Sequence, residues 1–248
     1  AAAAAELAAL PEVQWIEHHE TPRILNDAAR AADRLNVDSV QSGHGLDGAG
    51  QIVAIADTGL DTGDTNTLSP DFAGRLLHVF DTGRLTNWSD TYYHGTHVAG
   101  SLLGTGAASG GQYRGAAPGA QLVFQSIMTA YQSLNLPDDL NDFYRPPYEL
   151  GARIHSDSWG SAVAGQYTAD AMTTDEFIWD HPDQFVAYAA GNDGIDGDYD
   201  GVVDLLSLDS PASAKNVLAV GASESGRPPG GGGLTARTYG SAWRYDYP

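Results

Sequence analysis

Two histidines stand three residues apart at the start of an apolar stretch, "HGTHVAGSLLG", which runs from His94 to Gly104. The small and apolar residues that come after them predict a helix, so both imidazoles belong to its first turn. Two arrangements use both rings: a metal site shared by His94 and His97, or one catalytic histidine with the other packed beneath it. A zinc-binding helix carries a glutamate and a second histidine four residues on, and this stretch supplies neither. The pattern therefore favours a single catalytic histidine.

A carboxylate follows the first strongly apolar run of the chain, "QIVAIAD", which ends at Asp57. Aspartate at a strand end is commonly a turn former, because its short side chain bonds to the local backbone. A histidine that accepts a proton during catalysis needs a fixed carboxylate on its other ring nitrogen, which selects the tautomer and stabilises the cation. The residues next to Asp57 are compatible with either role.

Aspartates recur with regular spacing in "DGDYDGVVD", residues 196–204. An EF-hand-like calcium loop has acidic ligands at positions 1, 3, 5 and 9, a glycine at position 6 and a backbone carbonyl ligand at position 7. The predicted Ca²⁺ ligands are Asp196, Asp198, Asp200, the Val202 carbonyl and Asp204. Ser207 stands where such loops carry a bidentate glutamate, for which Asp209 could substitute. A solvated acidic loop is the alternative.

Short apolar runs separated by helical or loop segments must position these groups. The runs at residues 51–56, 76–80, 121–125, 184–189 and 216–220 predict buried strands, and residues 26–40, 96–103 and 169–179 predict helices. Apolar strands that alternate with helices predict an α/β fold, a parallel sheet with helices on both faces. Active groups in such sheets lie at the carboxyl ends of the strands.

The stretch "GHGLDG", residues 43–48, matches the glycine pattern of dinucleotide sites. That pattern binds pyrophosphate only where it follows a strand and opens a helix, and here it precedes a strand. We interpret it as a flexible turn that leads into the first strand.

Five stretches occur in one order along the chain: "VAIADTGLD", "HGTHVAG", "DSWG" at residues 157–160, "AAGNDG" at 189–194 and "SPASAKNVLAVGA" at 210–222. In this order they resemble the subtilisin-like serine proteases, over nearly the whole chain from Asn26 to Pro248. The stretches "LVFQSIM" and "GARIHSDSWG" look closest to the oxidation-resistant alkaline subgroup, whose members carry an additional C-terminal β-sandwich. The resemblance implies a subtilisin-like fold and a serine endopeptidase that acts on polypeptide substrates.

The resemblance also implies roles for three residues. His94 matches the general base, which takes the proton of the nucleophilic serine and later passes it to the leaving amine. Asp57 matches the carboxylate that orients this histidine. Asn192 matches the side-chain donor of the oxyanion hole, which stabilises the charge of the tetrahedral intermediate.

Substrate contacts are implied by the same match. Ser158, Trp159 and Gly160 match the edge strand that pairs with an extended peptide, and Ala189, Ala190 and Gly191 match the opposite wall of the pocket for the residue before the scissile bond. Small residues around that pocket predict room for large apolar side chains.

The serine of the family lies in a Gly-Thr-Ser-Met-Ala-type stretch that opens a later helix, and this chain contains no such stretch. Ser241, in "GSAW", lacks both the preceding threonine and the following helix, so we do not accept it as the nucleophile. We expect the serine on a C-terminal remainder of the protease outside this chain. A truncation and a catalytically inactive relative that only binds extended peptides are the alternatives.

The first 25 residues differ in character from the rest of the chain. "LPEVQWIEHHETPRIL" resembles the C-terminal end of an inhibitory pro-segment, which implies a zymogen whose mature form begins near Asn26. An ordinary N-terminal extension is the alternative. Residues 26–248 are then the N-terminal two-thirds of the catalytic domain.

The charge of the chain excludes one class of partner. There are 12 lysines and arginines against 32 aspartates and glutamates, a net charge of −20, and Lys215 is the only lysine. Nucleic acid needs basic patches, so it is not an expected partner. The alanine-rich start is interrupted by Glu6 and lacks a basic region, which predicts neither a signal peptide nor a membrane span. The resemblance implies a secreted enzyme, whose signal would lie upstream.

Overall fold

The computed structural model describes residues 29–30, 35–194 and 204–222, in which six parallel strands form one sheet. In chain order the strands are β1 Ile52–Asp57, β2 Leu76–Asp81, β3 Gln121–Ser126, β4 Ile154–Asp157, β5 Phe185–Ala189 and β6 Leu218–Val220. Their order across the sheet is β2-β3-β1-β4-β5-β6. The carboxyl ends of parallel strands share one edge of the sheet, which is where this fold class carries its active groups.

The centre of the sheet consists of β1 and β3, in which every residue after the first is buried. The two strands pair in register from Ile52 opposite Gln121 to Asp57 opposite Ser126. Continuous apolar runs are what a strand covered on both faces requires, so the sequence signal here is strong. All five predicted strands are confirmed, the last in a shorter form that begins at Leu218.

β4 is the one strand of the described sheet without a predicted counterpart. It is only four residues long, and its two fully buried side chains, His155 and Asp157, are polar. An apolar run therefore never appears in the sequence, and hydrophobic periodicity misses the strand. β4 lies between β1 and β5, so it completes the three neighbouring strands whose ends carry predicted site residues.

Four α-helices accompany the sheet in the described ranges. They are α1 Val37–His44, α2 His94–Leu103, α3 Leu140–Glu149 and α4 Ala169–Asp180. The structure confirms the predicted helices at α2 and α4, with α2 starting two residues earlier and α4 ending one residue later than predicted. None of the described helices is long and apolar enough to cross a membrane.

α3 has no predicted counterpart because it contains Pro146 and Pro147, which ordinarily break a helix. The helix nevertheless has a well-formed start, where the Asp139 side chain accepts a hydrogen bond from the Asn141 amide. Leu140, Phe143, Tyr144 and Pro147 are buried along one side. Burial of this apolar side compensates for the hydrogen bonds that the prolines cannot donate.

The helix predicted over residues 26–40 is wrong in its extent. Asn36 has a φ of 55°, a left-handed conformation that a right-handed helix cannot include, so α1 begins at Val37. α1 ends at His44, after which Gly45 has a φ of 65° and donates its amide hydrogen to the Gln41 carbonyl. Residues 26–28 and 31–34 lie outside the described part. "GHGLDG" thus ends a helix and precedes β1, the reverse of the order in a dinucleotide site.

Helices cover both faces of the sheet, as predicted. On one face, Ile55 of β1 packs in a cluster with Ala99 and Leu103 of α2. On the other face, Ala56 of β1 belongs to a cluster formed largely by α3 and α4, which includes Phe143, Tyr144 and Phe177. Adjacent residues of β1 therefore contribute to opposite cores, because strand side chains alternate between faces. Packing on both faces fixes the position of β1, and with it the position of Asp57 at the end of the strand.

Candidate active site

Asp57 and His94, 37 residues apart in the chain, meet at the carboxyl end of β1. His94 Nδ1 lies 2.7 Å from Asp57 Oδ1, and the Thr58 amide donates to the same oxygen, also at 2.7 Å. The Asp57 carboxylate is buried, with the residue only 3% exposed. A turn-forming aspartate would be open to solvent. Asp57 is instead held in place against one particular histidine.

His94 is the partner with access to solvent. Its side chain is 51% exposed, whereas that of Asp57 is 2% exposed. The hydrogen bond to Asp57 raises the pKa of His94 above its ordinary value, and the charges of Asp57 and Asp90 act in the same direction, while burial of the ring opposes them. A carboxylate can only accept, so Nδ1 carries the proton and Nε2 is left as the basic nitrogen. The pair therefore presents a base at the sheet edge.

The start of α2, which presents His94, is capped by residues outside the helix. The preceding residue, Tyr93, has a φ of 63° and provides no side-chain cap. Asp90 Oδ2 instead accepts from the Thr96 amide at 2.8 Å and from the Thr96 hydroxyl at 2.7 Å. The Thr58 hydroxyl accepts from the Gly95 amide at 2.9 Å and donates to Asp90 Oδ1 at 2.8 Å. These bonds tie the end of β1 to the first turn of α2.

Gly95 allows that close approach between helix and strand. A Cβ atom on Gly95 would lie 2.3 Å from the Gly59 carbonyl oxygen and 3.0 Å from Asp57 Cβ. Backbone atoms occupy that space and cannot move aside as a side chain could. The glycine that follows His94 is therefore required by the distance between α2 and the residues after Asp57.

The other predicted site residues follow the neighbouring strands. β1, β4 and β5 are adjacent in the sheet, and their carboxyl ends lead into Asp57, residues 158–160 and residues 189–192. Asn192 is exposed, directly after Gly191, whose φ is 116°. The sheet thus brings the ends of all three stretches to one edge, as expected for parallel strands.

The two segments predicted to contact substrate are held by specific bonds. Trp159 packs against the apolar cluster around α3 and α4, and its indole nitrogen donates to Asp157 Oδ1 at 3.1 Å. Ser161 and Ser210 exchange backbone hydrogen bonds of 2.9 and 3.0 Å. Ala190 donates its amide hydrogen to the Val220 carbonyl at 2.9 Å. Trp159 is therefore mainly an anchor, while Ser158 is partly exposed and Gly160 is exposed.

A second histidine and aspartate pair lies in β4, unnoticed in the sequence. His155 Nδ1 is 2.8 Å from Asp157 Oδ2, and His155 Nε2 is 2.8 Å from Gln125 Oε1. Both residues are 1% exposed. Burial raises the pKa of Asp157, and His155 opposes that shift. Their alternation in "IHSD" was the available signal, because two polar residues on one face of a short strand need buried partners.

Most of the chain matches a known protein family. The sequence profile described as "Subtilase family" (Peptidase_S8) matches residues 48–243. This chain belongs to the subtilase family. Serine protease/ABC transporter B family protein tagD of Dictyostelium discoideum is 34% identical over 236 residues, which cover 86% of the chain. Serine protease AprX of Bacillus subtilis (strain 168) is 28% identical over 221 residues, 83% of the chain.

The fold of this subtilase chain agrees with that of a solved relative. Sphericase has a TM-score of 0.53 and 26% sequence identity, over 78% of this chain and 61% of that chain. This subtilase chain spans 12% of the length of tagD and 45% of the length of AprX.

Two predictions about the subtilase site have other outcomes. His97 is exposed, so the expectation that a second histidine packs beneath the catalytic one is wrong. Of the predicted calcium ligands, Asp204 is described and partly buried, while Asp196, Asp198, Asp200 and Val202 lie outside the described residues. Within the described ranges no group of three or more acidic, histidine or cysteine residues is arranged to hold a metal ion. The calcium loop stays a prediction.

Proposed function

We propose that the protein containing this chain is a serine endopeptidase in which His94 is the general base and Asp57 its orienting carboxylate. The observation that carries the proposal is the 2.7 Å contact between His94 Nδ1 and a buried Asp57, with the histidine ring half exposed at the sheet edge. An ordinary buried ion pair would not leave one imidazole nitrogen open to solvent. Membership of the subtilase family supports the same chemistry.

The reaction requires a base, because a serine hydroxyl is too weak an acid to attack an amide as it stands. His94 Nε2 takes the hydroxyl proton as the serine oxygen bonds to the scissile carbonyl carbon. The imidazolium then gives this proton to the leaving amine, and a water molecule repeats the sequence to release the acid product. Asp57 remains ionised throughout and stabilises the positive charge on His94.

Asn192 is proposed as the side-chain donor to the oxyanion. A donor of this kind is worth on the order of 3 kcal/mol in the transition state when it is in place before the charge develops. An extended polypeptide substrate would bind along residues 158–160, with the side chain before the scissile bond entering between them and Ala189–Gly191. The position of these segments beyond β4 and β5, next to β1, supports this assignment.

We further propose that the nucleophilic serine lies on polypeptide that follows this chain, since no Gly-Thr-Ser-Met-Ala-type stretch occurs within it. The proposal has four further parts. Residues 1–25 are the end of an inhibitory pro-segment, and the protein is secreted. Residues 196–204 bind Ca²⁺, and the protein carries an additional C-terminal β-sandwich. Their support is the sequence resemblance and the aspartate spacing.

The test is labelling of the full-length protein with a fluorophosphonate, which reacts with an activated serine. We expect stoichiometric label on the polypeptide that carries the serine, and loss of the label in His94→Ala because the base is missing. His97→Ala is the matched control, since His97 is exposed three residues away, and should label normally. A wild-type protein that takes up no label, yet still binds extended peptides, would contradict hydrolysis and favour an inactive peptide-binding relative.

A further inference from the structure

Asp209 and Ser210 lie between the two segments proposed to form the substrate pocket. The Asp209 amide donates to the Ala190 carbonyl at 2.9 Å, which joins this segment to the wall at residues 189–191. Ser210 exchanges two backbone hydrogen bonds with Ser161, directly after the opposite wall at residues 158–160. The segment therefore connects the two walls, and its side chains are candidates for the base of the pocket.

The Asp209 side chain occupies the space between two wall glycines. A Cβ atom on Gly191 would lie 2.5 Å from Asp209 Cγ, and one on Gly160 would lie 3.1 Å from Asp209 Cβ. Asp209 itself is only 7% exposed. Within the described part of the chain, nothing donates a hydrogen bond to its buried Oδ1 atom. A carboxylate oxygen that is buried without a donor is costly, unless a ligand supplies one.

No positive charge of the described chain compensates this carboxylate. The ion pairs that the structure describes all involve other acids. Lys215, the only lysine, lies with its Nζ atom 3.8 Å above the Tyr167 ring. Asp193 places a second carboxyl group within hydrogen-bonding contact of Asp209. Two neighbouring carboxyl groups for which the described residues provide no counter-ion suit a cationic ligand.

We propose that Asp209 determines substrate specificity, by selecting an arginine or lysine side chain immediately before the scissile bond. The inference rests on the proposed endopeptidase function. A guanidinium or ammonium group provides donors and a positive charge for the buried Oδ1 atom, and guanidinium can bind a carboxylate through two parallel bonds. A neutral side chain would bury the same oxygen unpaired. Under this proposal a basic substrate side chain occupies the pocket, in place of the large apolar side chains that the sequence predicted.

The experiment measures kcat/KM of the full-length protein on five peptides that differ only in the residue before the cut: Arg, Lys, Gln, Phe and Ala. We expect kcat/KM for the arginine peptide to exceed that for the glutamine peptide by at least about 100-fold, because a substrate that leaves the buried acceptor unpaired is strongly disfavoured. In Asp209→Asn, kcat/KM for the arginine peptide should fall about 100-fold, whereas kcat/KM for the phenylalanine peptide should change less than about threefold. Asp180→Asn, at the exposed end of α4, removes the same charge and should change neither.

A second measurement needs no variant. Benzamidine and benzamide have the same shape, and only benzamidine carries a positive charge. We expect benzamidine to inhibit cleavage of the phenylalanine peptide competitively, at least about tenfold more strongly than benzamide does, because only the amidinium can pair with Asp209. Equal inhibition by the two compounds would overturn the inference even if Asp209→Asn fails to fold.

Three further outcomes count against the proposal in different ways. A wild-type preference for phenylalanine or alanine, unchanged in Asp209→Asn, would overturn the specificity while leaving the endopeptidase function intact. If Asp209→Asn lowers cleavage of all five peptides equally and abolishes the stabilisation by added Ca²⁺, Asp209 is a metal ligand instead. If the protein cleaves no peptide and takes up no fluorophosphonate, the proposed endopeptidase function itself is contradicted.

Discussion

His94 and Asp57 depend on each other in a way that neither residue type reveals alone. The histidine is half exposed, and its carboxylate partner is almost fully buried 2.7 Å away. This asymmetry excludes water from the carboxylate and keeps it oriented toward His94, while one imidazole nitrogen remains accessible to solvent. The raised pKa of His94 has Asp57 as its main cause, so the basicity of the pair is a property of the contact.

At this scale, Asp57→Asn should lower the pKa of His94, because the main cause that raises it is lost while burial of the ring remains. The pH dependence of His94 modification by diethyl pyrocarbonate in the full-length protein measures this. His97, exposed and three residues away, is resolved in the same peptide by mass spectrometry and is the internal reference for the reagent.

The same sign governs stability. A group whose pKa is raised by folding stabilises the fold fully below its unfolded pKa and loses that contribution as the pH rises through the folded value. Loss of the contact with His94 in Asp57→Asn should therefore lower the free energy of unfolding more at pH 5 than at pH 9. An unchanged titration of His94 in Asp57→Asn would show that the contact is absent in solution.

At the scale of elements, the site depends on how closely α2 approaches the end of β1. Asp90 and Thr58 satisfy amides in the first turn of α2 from outside the helix, which replaces the missing side-chain cap at Tyr93. Gly95 makes the approach possible, because any side chain there would overlap the Gly59 carbonyl. The glycine in "HGTH" is thus explained by packing between elements.

Gly95→Ala should destabilise the protein by about 2 to 4 kcal/mol, because its Cβ overlaps fixed backbone. Activity should fall as well, since His94 moves with the helix. Gly100→Ala is the matched control in the same helix, where a Cβ meets nothing within 4 Å. It should stabilise by about 0.5 to 1 kcal/mol through helix propensity. Urea unfolding measures both, and equal effects of the two substitutions would refute the packing argument.

At the scale of the whole molecule, a buried polar network joins the elements of one core. His155 and Asp157 of β4 connect through Gln125 of β3 to the Phe143 carbonyl of α3, where Gln125 Nε2 donates at 3.0 Å. In the same core the hydroxyls of Tyr144 and Tyr188 contact each other. A network of this kind is sensitive to the loss of one member, because the remaining polar groups stay buried.

Asp157→Ala should cost about 3 to 5 kcal/mol, since it leaves His155 and the Trp159 indole without their acceptor. Asp157→Asn should cost clearly less, because burial already disfavours the charged form of this carboxyl and the one amide oxygen can still accept from one of the two partners. Asp183→Asn, which removes an exposed partner of Arg153, should leave the urea midpoint unchanged. Equal losses in Asp157→Ala and Asp157→Asn would contradict this account.

The sequence by itself determined the class of the fold and the residue types of the site. Continuous apolar runs specify β1 and β3 because both faces of those strands are buried, and five ordered stretches specify the family. β4 and α3 escaped prediction, since the first buries polar residues and the second contains two prolines.

Only the tertiary structure decided which of these residues meet. The contact of Asp57 with His94, the bond of His155 to Gln125, and the position of Asp209 between Gly160 and Gly191 all join residues distant in the chain. Such contacts are set by strand order and helix packing, which local periodicity does not encode. A carboxylate in a loop and a carboxylate at the base of a pocket look identical in sequence, because burial alone distinguishes them.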